Sequence, residues 1–508
     1  MPSSSRWQTA SATGSWTWAS GWRTTPPAPS GSGASRSRMR RGLAADLRRI
    51  VGSGGVVSGG KELSQVTGDA LNTFRAFRAA ECLAVSPAAA VFPTSTQQVS
   101  RVLKFANTHR IPVVPYGAGT GVMGAAAPVE DCIVLGLRRM DAVRNVSGED
   151  MTARVQAGVV LEAAAKALEK AGLLLGHDPW SRPIATTGGA ISTDSVGYTG
   201  AKHGSMGGQV LGLEAVLAGG EVVRTRAVPN RASGPDLHGL FVGTEGTLGV
   251  VTEATLRVFP KPEAWRLIPF TFPNFESGYH AVAAMYSLGL RPTVVDYESN
   301  LWPSDAETDS TAKLYLGFDG PGGVVEAETA RAWSICLEMG GREGKPSDAA
   351  KFWRTRHSIA LRYQRRLAKA ADPVAARRGA GGFRMDYLHV ALPASKVLEY
   401  RRRCQKILAS HRVAVREWSL WARPELLSFL IEDDRDAGGQ TSHSLAEAVD
   451  KVLTPAQRMG GSMEYCHGVG LKLAHLVEGE SDGGAAATKR IKAALDPNNI
   501  LNPGKLLG

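Results

Sequence analysis

The sequence predicts an α+β protein built from more than one domain. Its 508 residues exceed the size of one ordinary domain. Between residues 44 and 262, amphipathic helical patterns alternate with short apolar runs of strand length. Two prolines, Pro260 and Pro262, then interrupt this pattern. Residues 263–460 form a second region with strand-like ends and helices between them.

The first region contains the clearest individual elements. Helical spacing of apolar residues predicts a helix at residues 97–109, after Thr94 or Ser95 as N-cap. A second helix is predicted at residues 161–171, closed by Gly172. Short apolar runs predict strands at residues 111–115, 132–137, 152–159, 210–218 and 249–259. These elements define an α+β domain that we bound at residues 44–262.

The two ends of the chain differ in pattern. Residues 1–43 are rich in Ser, Gly, Arg and Trp and show no helical or strand period, so we expect a disordered N-terminal extension. Three explanations of it stay open: a mitochondrial transit peptide, translation that starts at Met39, or a flexible tail. Residues 461–508 are expected to form a separate C-terminal segment with a helix at residues 485–495.

Composition narrows the class of protein. The net charge is +12, but residues 1–45 hold six arginines and no acidic residue, so the remainder carries about +6 and is mildly basic. No concentrated basic face with interleaved aromatic residues follows, which disfavours a nucleic-acid partner. The chain also has no run of 18 apolar residues, which disfavours a transmembrane segment.

Cysteine usage bears on the compartment. The five cysteines are scattered, odd in number and without CxxC spacing; they are Cys82, Cys132, Cys336, Cys404 and Cys466. This pattern disfavours a disulfide framework or an iron–sulfur cluster and favours a reducing compartment. We therefore expect a cytoplasmic protein. Peripheral membrane contact through the basic stretch 351–384 is a weaker alternative, and organellar import follows if the transit peptide is genuine.

A glycine-rich loop is the densest motif of the chain. Gly119-x-Gly121-x-x-Gly124 follows a predicted strand and matches the dinucleotide fingerprint in letters. Its context excludes a Rossmann loop, because Pro128 and a new strand follow before any crossover helix fits. The backbone N–H groups of such a loop can still form an anion-binding nest, to which Thr120 adds a hydroxyl. A tight turn without a ligand is the competing interpretation.

Three further segments occur with this loop in a fixed order. They are His177-Asp178-Pro179-Trp180-Ser181, the run Thr186-Thr187-Gly188-Gly189-Ala190-Ile191-Ser192-Thr193, and the run Gly243-Thr244-Glu245-Gly246-Thr247-Leu248-Gly249-Val250-Val251. The set resembles the FAD-binding domain of the vanillyl-alcohol oxidase / p-cresol methylhydroxylase superfamily, over residues 65–262 and again over 460–508. The resemblance implies a two-subdomain FAD-binding domain of the p-cresol methylhydroxylase (PCMH) type, with a cap domain built on an antiparallel sheet.

The resemblance also implies which residues bind the cofactor. In the family, the glycine-rich loop at residues 115–121 corresponds to the pyrophosphate cradle. The segment 179–195 corresponds to a stretch that lies along the flavin, and residues 245–251 correspond to a strand that contacts the flavin through backbone groups. Small residues suit these places, because main chain must approach a flat ring closely. The cofactor-binding residues so implied are Pro115, Tyr116, Gly117, Ala118, Gly119, Thr120, Gly121, Pro179, Ser181, Thr187, Gly188, Ser192, Thr193, Ser195, Glu245, Gly246, Thr247, Leu248, Gly249, Val250 and Val251. The loop at residues 115–125 has no histidine, so we expect non-covalent FAD.

The carboxyl end resembles a narrower branch that contains D-lactate dehydrogenase, the glycolate oxidase subunit and alkylglycerone-phosphate synthase. In these relatives a histidine before Gly-Val-Gly faces the flavin, and His467 matches it. A neutral imidazole there would take the hydroxyl proton of the substrate. Arg356 matches an arginine that binds the substrate carboxylate or phosphate through its planar fork.

The sequence departs from the metal-dependent members of that branch. We align their His-rich metal segment with residues 417–425, which contain no histidine pair, and Cys466 replaces the expected glutamate. We therefore predict no metal site. Tyr465 is a candidate hydrogen-bond donor to the substrate or a packing residue, and Cys466 is expected to be a filler thiol rather than a nucleophile.

These observations predict an FAD-dependent oxidoreductase that oxidises a small, anionic hydroxy acid or related alcohol. The alternative enzyme is an alkylglycerone-phosphate synthase, which uses flavin without net redox change, and a third class is a flavin-binding protein that has lost activity. The electron acceptor stays open among a quinone, dioxygen and another redox protein. A homodimer stays open as well.

Overall fold

In the computed structural model of the chain, the described residues are 33–72, 75–76, 85–301, 311–378, 384–433 and 442–507. They form sheets of four, five and seven strands and a two-stranded ribbon, with helices packed against them. The expected α+β class is confirmed. Within these residues, no helix is long and apolar enough to cross a membrane.

The N-terminal helix α1 (Gly33–Val51) corrects one expectation. We expected disorder through residue 43, which was wrong for residues 33–43; residues 1–32 lie outside the described part. Ala44, Leu47 and Val51 recur at helical spacing and are buried in the core. These apolar residues lie in the C-terminal half of the helix, whereas its N-terminal half is polar and shows no helical period of apolar residues. Tertiary packing of the C-terminal half therefore stabilises the helix.

The four-stranded sheet carries the glycine-rich loop. Its order is β1-β2-β4-β3, with β2, β3 and β4 parallel and β1 antiparallel at the edge. The strands are β1 (Val56–Val57), β2 (Ala89–Val91), β3 (Val113–Tyr116) and β4 (Ile133–Gly136), and the helices beside them are α2 (Gly60–Gln65) and α3 (Thr96–Thr108). Ser95 caps α3 by accepting from the Gln98 N–H at 3.3 Å. No helix lies between β3 and β4 in this fully described stretch, so the exclusion of a Rossmann unit is confirmed.

The five-stranded sheet completes the first region. It is antiparallel, in the order β5-β6-β10-β8-β9. Its strands are β5 (Val143–Ser147), β6 (Thr152–Gln156), β8 (Val210–Val216), β9 (Val222–Arg224) and β10 (Val250–Arg257). Helices α4 (Leu161–Glu169), α5 (Thr187–Thr193) and α6 (Gly200–His203) connect them, and β7 (Leu173–Leu174) pairs with β11 (Phe259–Pro260).

The second region is a cap built on a seven-stranded antiparallel sheet, in the order β15-β12-β14-β13-β17-β18-β16. Its strands are β12 (Ala264–Phe272), β13 (Val294–Asn300), β14 (Ala312–Gly320), β15 (Arg342–Glu343), β16 (Met385–Ala391), β17 (Val413–Trp421) and β18 (Leu426–Asp433). Its helices are α7 (Phe275–Ser287), α8 (Gly322–Glu338), α9 (Pro346–Thr355), α10 (Ser358–Lys369), α11 (Pro373–Arg378), α12 (Ala394–Ser410) and α13 (Ser442–Arg458). We call the residues 263–460 the cap.

The C-terminal segment returns from the cap to the first region. Ser462 bridges to Ala391 of β16, and helix α14 (Gly484–Leu495) follows. Leu501 then bridges in parallel to Val113, at the edge of the four-stranded sheet. This route places residues 462–472 between the two regions. The bounds at 44–262, 263–460 and 461–508 stay predictions.

Candidate active site

A cleft enclosing about 1150 Å³ lies where the first region meets the C-terminal segment. Its walls are the loop after β3, residues of the 179–196 segment, the turn before β10, and Cys466 and His467. Most of the residues implied as cofactor-binding line it. Thr187, Thr247 and Leu248 do not, and this corrects the sequence analysis.

These three residues are buried below the surface of the cleft. The Thr187 hydroxyl donates to the Val159 carbonyl at 3.1 Å, and the Thr247 hydroxyl donates to the Thr244 carbonyl at 2.8 Å. Leu248 packs in the apolar core beneath the five-stranded sheet. They support the two cofactor-facing turns from behind, because neighbouring residues of a turn or helix point to different sides.

The loop after β3 presents backbone donors to the cleft. Within the described chain, the N–H groups of residues 117–121 donate no hydrogen bond. Gly119 adopts φ 63°, which only glycine takes without strain. A Cβ on Gly117 would collide with the Thr186 hydroxyl, and one on Gly246 would lie 2.8 Å from Pro115. A cradle of unpaired N–H groups with no room for side chains fits the pyrophosphate and flat ring of FAD.

Glu245 fastens the cleft to the C-terminal segment. Its backbone has φ 54°, and its buried carboxyl accepts from the Gly470 N–H at 2.9 Å. Burial raises the pKa of this carboxyl to about 8, although the N–H groups of Gly470 and Val469 oppose the rise. Asn502 donates to the Glu245 carbonyl at 2.7 Å. The Glu245 side chain therefore acts as a largely neutral structural link at pH 7.

His467 lies at the end of the cleft. Its backbone N–H donates to Glu464 Oε1 at 2.9 Å, and its ring Nδ1 has no hydrogen-bond partner among the described residues. Burial, and after it the positive charges of Arg75 and Lys472, together lower the pKa of His467 to about 3. The imidazole is therefore neutral at physiological pH, and because Nδ1 is buried, Nε2 is the ring nitrogen available to the cleft as a proton acceptor.

A second histidine lies beside it. The rings of His389 and His467 meet edge to face, with centroids 4.4 Å apart, and His389 Nδ1 shares a hydrogen bond with the Ser428 hydroxyl at 2.7 Å. The sequence analysis looked for the comparable segment at residues 417–425 and did not single out His389. His389 lies on β16, which reaches the site because Ala391 pairs with Ser462.

Two cations share one buried carboxylate near these rings. Lys472 Nζ lies 2.6 Å from Asp386 Oδ2, and Arg75 Nη1 lies 3.0 Å from Asp386 Oδ1. Lys472 and Asp386 are almost fully buried, whereas the Arg75 side chain is 20% exposed. The three residues form a positive pole, which the sequence did not reveal because they are far apart in the chain. Across the described ranges, no group of three or more His, Cys, Asp or Glu side chains is placed to hold a metal ion.

Tyr465 and Cys466 flank the catalytic candidate. The Tyr465 hydroxyl shares a hydrogen bond with Ser428 Oγ at 2.7 Å, and burial raises its pKa well above the ordinary value. The Cys466 thiol lines the cleft and contacts the Val196 carbonyl at 3.8 Å. Burial, and after it the negative charge of Glu464, raise the pKa of this thiol to about 12. A neutral thiol is a poor nucleophile, as the filler interpretation expects.

Arg356 lies behind the cleft rather than in its lining. Its Nε donates to Asp178 Oδ2 at 2.8 Å, and its guanidinium stacks over Trp353 at 3.7 Å. Asp178 also contacts His357 Nε2 and Arg182 Nη1, each at 2.9 Å. Burial opposes ionisation of Asp178, but these partners lower its pKa below the ordinary value. The predicted anion-binding residue is thus part of an ionic brace between the first region and the cap.

A smaller cavity of about 380 Å³ opens from the same place. It shares Trp180 and Val196 with the cleft, and its other walls include Tyr198, Asp296 and Trp421. We call it the cap pocket. It lies against β13 and β17 of the cap sheet.

The glycine-built cleft, the neutral histidine at its end and the cap sheet above it define a flavoprotein oxidoreductase. Residues 87–226 match the FAD binding domain family, and residues 261–506 match the family of the C-terminal domain of FAD-linked oxidases. The chain belongs to the FAD-linked oxidases, and FAD is its cofactor.

The chain is similar to proteins of more than one activity. It is 31% identical to the glycolate oxidase subunit GlcD of Bacillus subtilis, over 83% of this chain and 89% of that protein. It is 27% identical to the alkyldihydroxyacetonephosphate synthase of Caenorhabditis elegans, over 83% of this chain and 76% of that protein. A solved structure of p-cresol methylhydroxylase with substrate bound shares the fold, with a TM-score of 0.71, 20% identity, and coverage of 94% of this chain and 98% of that one. The PCMH-type fold and the family resemblance are confirmed.

Proposed function

We propose that the protein oxidises the CH–OH group of a small hydroxy acid, with His467 as the proton acceptor. The observation that carries this proposal is a neutral, unpartnered imidazole at the end of a cleft shaped for FAD. The similarity to a glycolate oxidase subunit supports the substrate class. When bound, FAD supplies the acceptor for the hydride that leaves the alcohol carbon.

His467 performs the acid–base part. Nε2, the ring nitrogen that is not buried away from the cleft, accepts the hydroxyl proton as the C–H bond breaks, and the imidazole then carries a positive charge. Glu464 Oε1 lies 4.0 Å from Nδ1 and stabilises that charge in a buried site. His389 packs its ring against His467 and restricts its rotation. These residues therefore hold the acceptor nitrogen in one place while the proton moves.

The positive pole is the proposed place for the substrate carboxylate. Arg75 is the more exposed cation of this pole, with 20% of its side chain accessible, and its charge acts on His467. Arg356, the residue that the sequence predicted for this role, has Nε engaged by Asp178 and Nη1 engaged by the Trp353 carbonyl. We therefore propose Arg75 as the carboxylate-binding residue and Arg356 as a positioning residue, with the reverse assignment as the alternative.

The test is anaerobic mixing of the FAD-loaded protein with glycolate, D-lactate and larger hydroxy acids. The proposal expects at least one hydroxy acid to cause a lasting loss of flavin absorbance at roughly 450 nm, the usual band of oxidised flavin. Release of flavin on acid precipitation would support the expected non-covalent attachment. No bleaching by any hydroxy acid would contradict the proposed substrate class.

One similarity favours a second candidate. The synthase of Caenorhabditis elegans matches most of this chain, so flavin chemistry without net oxidation is a defined alternative. Mixing with an acylated dihydroxyacetone phosphate distinguishes the two. Fatty acid release that ends with oxidised flavin would replace the dehydrogenase proposal by the synthase.

Location and partners stay proposals. The four described cysteines are buried free thiols, which supports the cytoplasm that we predicted. The electron acceptor is decided by comparing reoxidation of the reduced protein by dioxygen, a soluble quinone and an artificial carrier. The fastest of the three identifies the acceptor class.

A further inference from the structure

We infer that the cap pocket selects substrates whose far end donates hydrogen bonds, through hydroxyl or ammonium groups, and rejects a second anion. This inference deepens the proposed function, because it names the substrate class within the hydroxy acids. It rests on the cavity, on the aromatic rings that wall it and on the carboxylates of the cap sheet behind it.

Strand register brings the acidic side chains together. Asp296 pairs with Trp421 between β13 and β17, and both line the pocket. Glu298 lies two residues further along β13, so its side chain projects from the same face of the sheet. Glu417 lies on the neighbouring β17, where it accepts a hydrogen bond from the Tyr387 hydroxyl.

The charge of this face is poorly compensated. The carboxyl group of Asp296 makes no hydrogen bond or ion pair with any described residue of the chain. Burial raises its pKa well above the ordinary value, and the neighbouring Glu298 and Glu417 raise it further. Burial and Glu417 also raise the pKa of Glu298 to about 7, with Lys313 opposing. These shifts favour the protonated carboxyl groups. A ligand that brings positive charge stabilises the ionised form of Asp296, and a hydroxyl can donate to its acceptor oxygen, whereas a ligand carboxylate meets the same burial and the same neighbouring carboxyl groups that disfavour ionisation of Asp296.

The aromatic walls suit the same ligand. Trp180, Tyr198 and Trp421 are the aromatic walls of this pocket. Aromatic faces attract ammonium groups and pack against the C–H bonds of polyhydroxylated chains. Trp180 and Val196 line both cavities, so the cap pocket adjoins the cleft that His467 lines, and the far end of a substrate held beside His467 extends toward Asp296.

The two poles therefore divide the substrate between them. Arg75 and Lys472 lie on the β16 side with Asp386, and the three carboxylates lie on β13 and β17. A hydroxy acid binds with its carboxylate at the first pole and its far end at the second. Dicarboxylates are excluded by the acidic end, and simple alkyl chains leave Asp296 without a partner.

Binding of unreactive analogues to the FAD-loaded protein tests the inference by isothermal titration calorimetry. The probes are butyrate, γ-hydroxybutyrate, γ-aminobutyrate and succinate, which share a chain length and differ at the far end. We expect the hydroxyl or the ammonium probe to bind roughly tenfold or more tighter than succinate, and tighter than butyrate, the scale of one relieved charge contact. Succinate or butyrate binding as tightly as both donor probes would overturn the inference.

A variant separates the two kinds of donor. In Asp296→Asn the charge is lost but an acceptor oxygen stays, so preference for the ammonium probe falls roughly tenfold while preference for the hydroxyl probe is kept. Glu338→Gln is the matched control, because Glu338 is an exposed carboxylate on a cap helix. An Asp296→Asn protein with the same probe order and affinities as the control would contradict a role for Asp296.

A kinetic experiment distinguishes failure of this inference from failure of the proposed function. The matching α-hydroxy acids, malate among them, are compared by the rate of flavin reduction. If none reduces the flavin, the proposed function fails, and the order of probe affinities still tests the selectivity of the cap pocket. If malate is the best substrate, the proposed function stands and the inference fails.

Discussion

The cofactor cleft and the cap pocket are built by different means. The cleft is made of main chain, with glycines at each place where a side chain would collide with a neighbouring turn. The cap pocket is made of large side chains, three aromatic rings and a carboxylate carried by different elements. The cleft is shaped for FAD, whereas the pocket is where we propose that the far end of the substrate binds. Shared chemistry is thus carried by backbone, and specificity by side chains on a separate sheet.

The two parts are joined at the glycine loop. The Tyr363 hydroxyl of the cap donates to the Gly119 carbonyl at 3.1 Å. Arg377 is buried and donates to the carbonyls of Ser64 and Thr67 at 2.9 and 3.1 Å. Cap residues therefore hold the carbonyl side of the loop while its N–H groups face the cleft. A change at this contact is expected to affect both parts.

The largest expected effect lies where the two parts meet, at His467. His467→Gln removes the proton acceptor and should slow flavin reduction roughly a hundredfold or more, measured by anaerobic stopped flow. FAD content should stay unchanged, because backbone groups hold the cofactor. His475→Gln is the control, since His475 is an exposed histidine paired with Asp450. Equal losses in both variants would contradict a special role for His467.

The pH profile sharpens the same prediction. A pKa of about 3 means that His467 becomes neutral on raising the pH through that value, far below the ordinary 6.5. Flavin reduction should therefore lose no activity to His467 protonation between about pH 5 and 8. An acid limb near 6.5 that disappears in His467→Gln would show that the imidazole titrates normally.

The next effect concerns the cleft alone. Gly117→Ala places a Cβ against the Thr186 hydroxyl and should weaken FAD binding roughly ten- to a hundredfold, the range of about 1–3 kcal/mol for overpacking. Adding Thr186→Ala should restore part of the affinity. Gly148→Ala, where a Cβ meets nothing within 4 Å, is the control. Unchanged FAD affinity in Gly117→Ala would mean that the loop does not hold the cofactor closely.

The two arginines are expected to differ more modestly. Arg75→Lys keeps the charge and loses the fork, so the KM for a hydroxy acid should rise roughly tenfold while kcat changes less. Arg356→Lys should mainly lower the melting temperature, because it breaks the brace to Asp178. Arg331→Lys is the control on an exposed ion pair. A KM effect confined to Arg356→Lys would restore the assignment predicted from the sequence.

The smallest effect is expected at Cys466. Its thiol lines the cleft, but with a pKa of about 12 it is protonated at every working pH. Cys466→Ala should change kcat less than about threefold, and iodoacetamide should not inactivate the FAD-loaded protein. Rapid inactivation that Cys466→Ala prevents would show a reactive thiolate and refute the filler interpretation.

Prediction from the sequence succeeded for one part and failed for the other. The loop at residues 117–121 and the turn at Glu245–Gly246 were predicted as cofactor-binding through a family resemblance carried by short contiguous glycine-rich runs. Asp296 and Trp421 carry no such local mark. Each is an ordinary strand residue, and their neighbourhood arises only when β13 pairs with β17. Arg356 carried a family motif, yet its partner Asp178 and their mutual brace follow from docking of the cap.

The sequence by itself determined the α+β class, the exclusion of a Rossmann unit, the glycine-rich motifs that carry the resemblance to FAD-binding proteins and the position of His467 before Gly468-Val469-Gly470. Each depends on residues close together in the chain, where periodicity and glycine demand act locally. Only the tertiary structure decided that His389 lies against His467, that Lys472 and Arg75 share Asp386, and that the cap pocket is acidic. Those contacts join residues that are tens to hundreds of positions apart, and burial then sets their charges. A pKa or an ion pair is a property of the assembled neighbourhood, because desolvation and the nearest charge act through space rather than along the chain.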